Sequence, residues 1–367
     1  MGSEAVRAAS QDGVISHQPM DFADLPGWAE DDHAAALNAF RQACQAPAKG
    51  GSKAVQAGLK SACAAAADVK PHRARDFFET QFRPYRLTHS KPDGLLTGYF
   101  EPELPGSLQP DAQYTVPVLK RPDDLVDVVP ATERARANAE GRLASMRKTD
   151  RGLEPYFTRA EIDHGALAGR GLELLYLHSR LDAYVMHVQG SGSIRLVDGS
   201  LVRIGYAGKN GYPYTSAGSV LINQGLIKRE DLTLRSMRAW LEAHPAESRG
   251  ILNQNRSYIF FERKPQAEGK SGPLGGQGTP LTPRRSLAVD TAFHTLGAPL
   301  FVVSETLHDE HGAKFRHLMI AQDVGSAIGG PERGDIFWGT GAAAEAIAGR
   351  TKDRGHIFAL LPRAVTP

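Results

Sequence analysis

Asp335-Ile336-Phe337-Trp338-Gly339 sets an acid at the head of a short apolar run, and two stretches upstream repeat the arrangement in reverse. Leu318-Met319-Ile320-Ala321-Gln322-Asp323 and Leu287-Ala288-Val289-Asp290 each read as a buried strand that ends on an acid. A carboxyl group at the rim of an apolar barrel is partly desolvated, which favours its protonated form. That form donates a proton to a glycosidic oxygen. The plainer alternative is that each aspartate caps a turn, as aspartate often does. Both readings stay open for each acid taken alone.

Outward from these acids, short strands are also predicted over 300–304 and 356–361, with loops between them. Upstream, Tyr258-Ile259-Phe260-Phe261 reads as a compact buried strand, and 264–283 as a Gly/Pro-rich connection long enough to be functional. Strands are expected over 174–178, 183–189, 193–196 and 201–206, with Asp198-Gly199 as the turn of a hairpin. Helical periodicity covers 219–244, and Thr158-Arg159-Ala160-Glu161 matches a capping box. Extended runs are expected over 95–104 and 114–119, whereas 130–150 is polar and irregular. Helices are expected over 31–46, with Asp31 or Asp32 as cap, 52–67 and 73–82, after an aperiodic leader within residues 1–30. The fold class is α+β, mainly β, with barrel content and an N-terminal helical region.

The chain has 367 residues, enough for two domains, and its 41% hydrophobic and 23% charged residues are those of an ordinary globular protein. A net charge of +2 with no Lys/Arg block gives no reason to expect nucleic acid as a partner. No apolar stretch reaches the roughly 20 residues of a membrane span. Met1-Gly2-Ser3-Glu4-Ala5 shows no export signal, so the chain is expected to be cytoplasmic or to have lost its leader. Gly190-Ser191-Gly192 has neither phosphate-loop nor nucleophile-elbow spacing, and His308 and His311 form only an i, i+3 pair in a polar loop. No cofactor and no metal are expected. Cys44 and Cys63, the two cysteines, either bridge neighbouring helices in an oxidising compartment or are two small buried residues that never meet.

Several further blocks, taken together and in order, carry a resemblance. They are Leu96-Thr97-Gly98-Tyr99-Phe100-Glu101-Pro102, Tyr156-Phe157-Thr158-Arg159-Ala160-Glu161-Ile162, Val188-Gln189-Gly190-Ser191-Gly192-Ser193, Gly205-Tyr206-Ala207-Gly208-Lys209-Asn210-Gly211-Tyr212-Pro213-Tyr214 and Ala321-Gln322-Asp323-Val324-Gly325-Ser326-Ala327-Ile328. From about residue 85 onward the chain resembles the lytic murein transglycosylase A family, including its C-terminal three-aspartate domain. The resemblance implies a discontinuous double-psi β-barrel, built from 31–103 and 245–367, with 104–244 inserted as a second β domain and a glycan groove between them. Family-45 endoglucanases and expansins share that barrel. It also implies a lyase that cuts the β-1,4 bond between N-acetylmuramic acid and N-acetylglucosamine without water, leaving a 1,6-anhydro end.

By the same resemblance Asp335 is the general acid/base, Asp323 the second active-site acid and Asp290 the third. Thr97, Tyr99, Gln189, Ser191, Ser193, Lys209, Asn210, Tyr212 and Trp338 are implied to line the sugar site. Core packing or a structural turn is the alternative for Tyr99 and for the 209–212 loop, and Trp338 either stacks on a sugar or fills the barrel mouth. Implied partners are peptidoglycan strands and other cell-wall enzymes, for a periplasmic monomer associated with the outer membrane. The sequence departs from the family in showing no lipid-acceptor cysteine after an apolar signal. Two other functions remain open: a hydrolase of the same glycan with Asp323 as base, and an expansin-like binding module without catalysis.

Overall fold

The computed structural model describes residues 8–10, 13–88, 94–130, 137, 140–264, 272–309, 312–325 and 327–365. Strand outnumbers helix, and the chain divides into two compact units. The first comprises Met1–Tyr99, Leu274–Gly339 and Thr351–Pro367, the second Phe100–Pro273 and Thr340–Arg350. The dividing lines thus fall after Tyr99 and Pro273, against 103 and 244 in the sequence reading. Strand pairing gives the reason: Ile259–Lys264 completes the sheet of the second unit through Leu201–Lys209.

In the first unit six strands close a ring. They are β1 (Gly94–Glu101), β2 (Ser286–Val289), β3 (Pro299–His308), β4 (Lys314–Asp323), β5 (Arg333–Thr340) and β6 (Lys352–Pro362), neighbours in the order β6-β3-β4-β2-β5-β1, with β1 pairing back onto β6. Closure leaves no free edge among these six, which is what lets so apolar a set of strands avoid pairing with other chains. The far end of β6 also pairs with Phe82–Thr88, which in turn pairs with Gly13–Pro19. Residues 13–30, expected as leader, are therefore built into the fold, with Trp28 only 1% exposed and packed on Phe301. Residues 1–7 of that leader lie outside the described residues.

Helices α1 (His33–Ala43), α2 (Lys53–Ala66) and α3 (Ala74–Gln81) match the three expected segments. Asp32 rather than Asp31 caps α1 by accepting from Ala35 N at 3.0 Å, and Ser52 caps α2 through Val55 N. Their apolar stripes supply Leu37, Phe40, Leu59 and Phe78 to one core with Phe82, Phe301 and Leu318. Cys44 and Cys63 form a disulfide, with Cα atoms 5.5 Å apart.

The second unit contains a six-stranded sheet in the order Ile259–Lys264, Leu201–Lys209, Ser191–Leu196, Glu103–Ser107, Glu173–Leu177 and Val116–Leu119. Its helices are α4 (Arg159–Asp163), α5 (Arg180–Gln189), α6 (Ala217–Asn223), α7 (Leu234–Ala243), α8 (Pro245–Asn253) and α9 (Ala342–Ala348). The Thr158 capping box on α4 is present, and Gly199 takes a positive φ at the 198–199 hairpin turn. Two expectations are corrected. The strand expected over 183–189 is α5, capped by Ser179 and ended by Gly190 in the left-handed region. Six of its residues are buried, so no one-sided stripe betrays the helix, and a short apolar run does not tell strand from buried helix by itself. The single helix expected over 219–244 is broken into α6 and α7, because Gly225 turns left-handed and Thr233 opens a new capping box.

Candidate active site

One face of the ring gathers the acids, and strand register explains how. Ala288 on β2 pairs with Asp335 on β5 to one side and with Asp323 on β4 to the other. Residues paired across strands point to the same face, so the two acids flank a methyl side chain, roughly 10 Å apart at Cα from two strand spacings. A bulge in β4 makes this possible. Leu287 pairs with Ala321 while Ala288 pairs with Asp323, so Gln322 is the extra residue. Without it Gln322 would occupy the face. Gln322 is instead fully buried, accepting from Ser286 Oγ at 2.6 Å and donating to Thr279 Oγ1 at 2.9 Å.

Strand β1 brings the partners. Thr97 and Tyr99, two residues apart, share a face and reach the two acids. Thr97 Oγ1 donates to Asp335 Oδ1 at 2.5 Å, and Tyr99 Oη donates to Asp323 Oδ2 at 2.8 Å. Arg333, two residues before Asp335 on β5, donates to Thr97 Oγ1 at 2.8 Å and to the carbonyls of Gly334 and Leu95. With its lone pairs turned to the guanidinium, the Thr97 hydroxyl gives its proton to Asp335 Oδ1. Any acidic proton on Asp335 must then sit on Oδ2. Asp323 Oδ1 accepts from the backbone N–H groups of Gly276 at 2.7 Å and Val324 at 2.8 Å.

Burial pushes the Asp335 carboxyl up from the ordinary carboxylate range, while the Thr97 hydrogen bond and the Arg333 charge pull the other way. Burial pushes Asp323 up to about 6; its three hydrogen bonds oppose this and the Asp335 charge adds to it. Burial and the neighbouring Asp323 raise the Tyr99 hydroxyl far above its usual value, so it stays a donor. The arrangement can hold one carboxyl protonated beside an acid that titrates near neutrality, which is the chemistry of a proton-shuttling glycosidic site.

The remaining expected residues are placed differently. Asp290 follows β2 but commits both oxygens to turns, accepting from Ala292 N at 2.9 Å and Gly330 N at 2.8 Å. Trp338 is 6% exposed and packs edge-on against Phe315, which is the barrel-filling alternative rather than an open stacking surface. The other six belong to the second unit. Gln189 ends α5 and accepts from Phe100 N at 3.0 Å, whereas Ser191 and Ser193 lie on a strand and not in the expected turn. Lys209 is buried. Asn210 is fully buried, tied to Phe157 O, Arg256 O and Tyr258 N, and Tyr212 donates to Tyr156 O at 2.9 Å. Those bonds fit the structural-turn alternative for the 209–212 loop. Arg333 and Ala288 were missed; the signal for Arg333 was a cation two residues before an acid on a strand. The His308 and His311 pair lies partly outside the described residues.

Known proteins resemble this chain over most of its length. The MltA specific insert domain family matches residues 95–262, and the 3D domain family matches residues 285–361. Membrane-bound lytic murein transglycosylase A of Vibrio cholerae is 33% identical over 271 residues, 72% of this chain and 65% of that protein. The chain therefore spans just under two thirds of the length of that curated relative. A crystal structure of a membrane-bound lytic murein transglycosylase from Agrobacterium tumefaciens superposes with a TM-score of 0.83 at 35% identity, covering 95% of this chain and 98% of that one. A crystal structure of Escherichia coli MltA with bound chitohexaose gives a TM-score of 0.66 at 26% identity, covering 98% and 95% of the two chains.

Proposed function

The chain belongs to the lytic murein transglycosylase A family, and from that premise we propose that it cleaves peptidoglycan glycan strands without water. The bond cut is the β-1,4 linkage between N-acetylmuramic acid and N-acetylglucosamine, and Asp335 is the acid/base. The observation that carries this reading is the hydrogen-bond chain in which Arg333 donates to Thr97 and Thr97 to Asp335, beside a second acid, on one face of the ring. Asp335 gives the proton on Oδ2 to the leaving oxygen. As carboxylate it then takes the proton of the muramoyl 6-hydroxyl, which attacks C1 of its own sugar and closes the 1,6-anhydro ring. An internal nucleophile has a high effective concentration, so no water need be positioned.

Asp323, ionised above about pH 6, faces the positive charge that develops on the sugar ring. Thr97 and Tyr99 serve the acids rather than the sugar. The double-psi crossing of the barrel is part of this proposal. So is periplasmic location with attachment to the outer membrane, which the Cys44–Cys63 disulfide supports, since such bonds persist in oxidising compartments. No helix among the described residues is long and apolar enough to cross a membrane.

The test is mass spectrometry of peptidoglycan digested by the purified protein. Anhydro ends are expected; reducing ends in their place would make the protein a hydrolase, and no release with retained glycan binding would make it a binding module. Asp335→Ala is expected to abolish turnover and keep glycan binding measurable.

A further inference from the structure

The second unit holds a cavity of about 120 Å³ against α4, α5 and α8, and the acids described above take no part in it. Arg159, on its wall, is 6% exposed. Its Nε donates to Asn255 O at 3.2 Å and its Nη2 to Ser257 O at 2.7 Å, while Tyr184 and Tyr258 cover its face at 5.0 and 5.3 Å. Its Nη1 has no hydrogen-bond partner, and no carboxylate pairs with it among the described residues. A guanidinium this deeply buried without a directly paired anion is unfavourable, and Asp163 acts on it only at a distance. Aromatic faces and two neutral carbonyls offset only part of that cost.

The same wall carries a second unsatisfied group. His187 is 6% exposed, and neither ring nitrogen has a partner among the described residues. Burial and the Arg159 charge drive its pKa well down, so it stays neutral and does not compete for an anion as a second cation. Asp163 is already taken, held by Arg180 at 3.0 Å, by Arg249 and by Asn253 at 3.2 Å. Two guanidinium groups thus share the one carboxylate beside this cavity, and the third, Arg159, has none paired with it. The rest of the lining, including Leu119, Ile162 and Leu252, is apolar.

We propose that this cavity binds a small carboxylate, with an oxygen on Arg159 Nη1 and a short aliphatic body against the apolar wall. A tetrahedral dianion would need more donors than this wall offers, and it would leave the apolar lining unused. The acid can come free in solution or be borne on the peptides of peptidoglycan, which present the same chemistry.

Calorimetric titration of the full chain with propionate, and with inorganic phosphate at matched ionic strength, reads this directly. Saturable binding of propionate but not of phosphate is expected, weakened at least tenfold in Arg159→Gln. Because Arg159 also ties two carbonyls, Ala183→Leu, which fills the cavity from α5, is the second variant and should weaken binding likewise. A disaccharide-peptide binding more tightly than the bare disaccharide would assign the peptide source; equal binding of the two, with propionate retained, would assign the free acid. No saturable carboxylate binding to the unaltered protein, equal binding of phosphate, or undiminished affinity in the folded variants would overturn the proposal. The readout is binding, so failure of the glycan-cleaving assignment would not move it.

Discussion

At the scale of single residues, the triplet Arg333, Thr97 and Asp335 makes a prediction with a definite sign. The Arg333 charge lowers the Asp335 pKa, so its loss should raise that pKa further. A general acid works while protonated, so activity falls as pH rises through its pKa. Arg333→Met should therefore move the alkaline limb of the pH–rate profile to higher pH, and it should also lower turnover by freeing the Thr97 hydroxyl. Arg333→Lys should restore the limb in part. An unmoved limb in Arg333→Met would deny that the guanidinium acts on Asp335. Asp335→Asn should cut turnover by on the order of 10²–10⁴, the usual worth of a general acid. It should also hold or raise the melting temperature, because a carboxyl disfavoured by burial is removed. The aspartates were legible because an acid abutting an apolar run needs no partner to be noticed. Ala288 and the bulge at Gln322 were not, since their meaning exists only once β2 lies between β4 and β5.

Among the elements, the α1–α2 pair is closed by Cys44–Cys63 across 19 residues. In the chain-entropy account a loop of that length is worth roughly 3 kcal/mol. Cys44→Ser with Cys63→Ser, or reduction, should lower the urea midpoint by a corresponding amount and leave the product profile of any residual activity unchanged. Gly190 ends α5 at φ 77° with open space around it, so Gly190→Ala should cost about 1 kcal/mol through backbone strain alone. Denaturant melts of that variant measure it. The strands of the ring and the N-terminal helices were legible, because compact apolar runs and one-sided apolar stripes follow from how each packs. Helix α5 was not, because burial on most sides erases the stripe that marks a helix. The breaks at Gly225 and Thr233 carried ordinary stop and start signals, but the apolar residues on either side suggested one continuous helix.

For the molecule as a whole, Asp31 ties the segment before α1 to the ring. It accepts from Arg285 at 2.9 Å, from Leu318 N at 2.7 Å, and meets His317 Nδ1 at 2.8 Å. Burial alone would raise its pKa, but the bonds from His317, Arg285 and Leu318 bring it down to about 2 from 3.8. A lowered carboxylate pKa stabilises the fold above the unfolded value, so this contribution, roughly 2 kcal/mol, is whole at neutral pH. It should be lost as pH falls from about 4 to about 2, and urea melts across that window should show the decline. A flat profile there would mean that Asp31 is not held as described. The ring has a different consequence. Thr97 and Asp335 are 238 residues apart, and β1 is held by β6, which follows Asp335 in the chain. A ribosome must therefore release β6 before Asp335 can be set firmly against its hydroxyl. A product that lacks β6, whether from stalled translation or proteolysis, is therefore expected to be inactive in the glycan digestion proposed above.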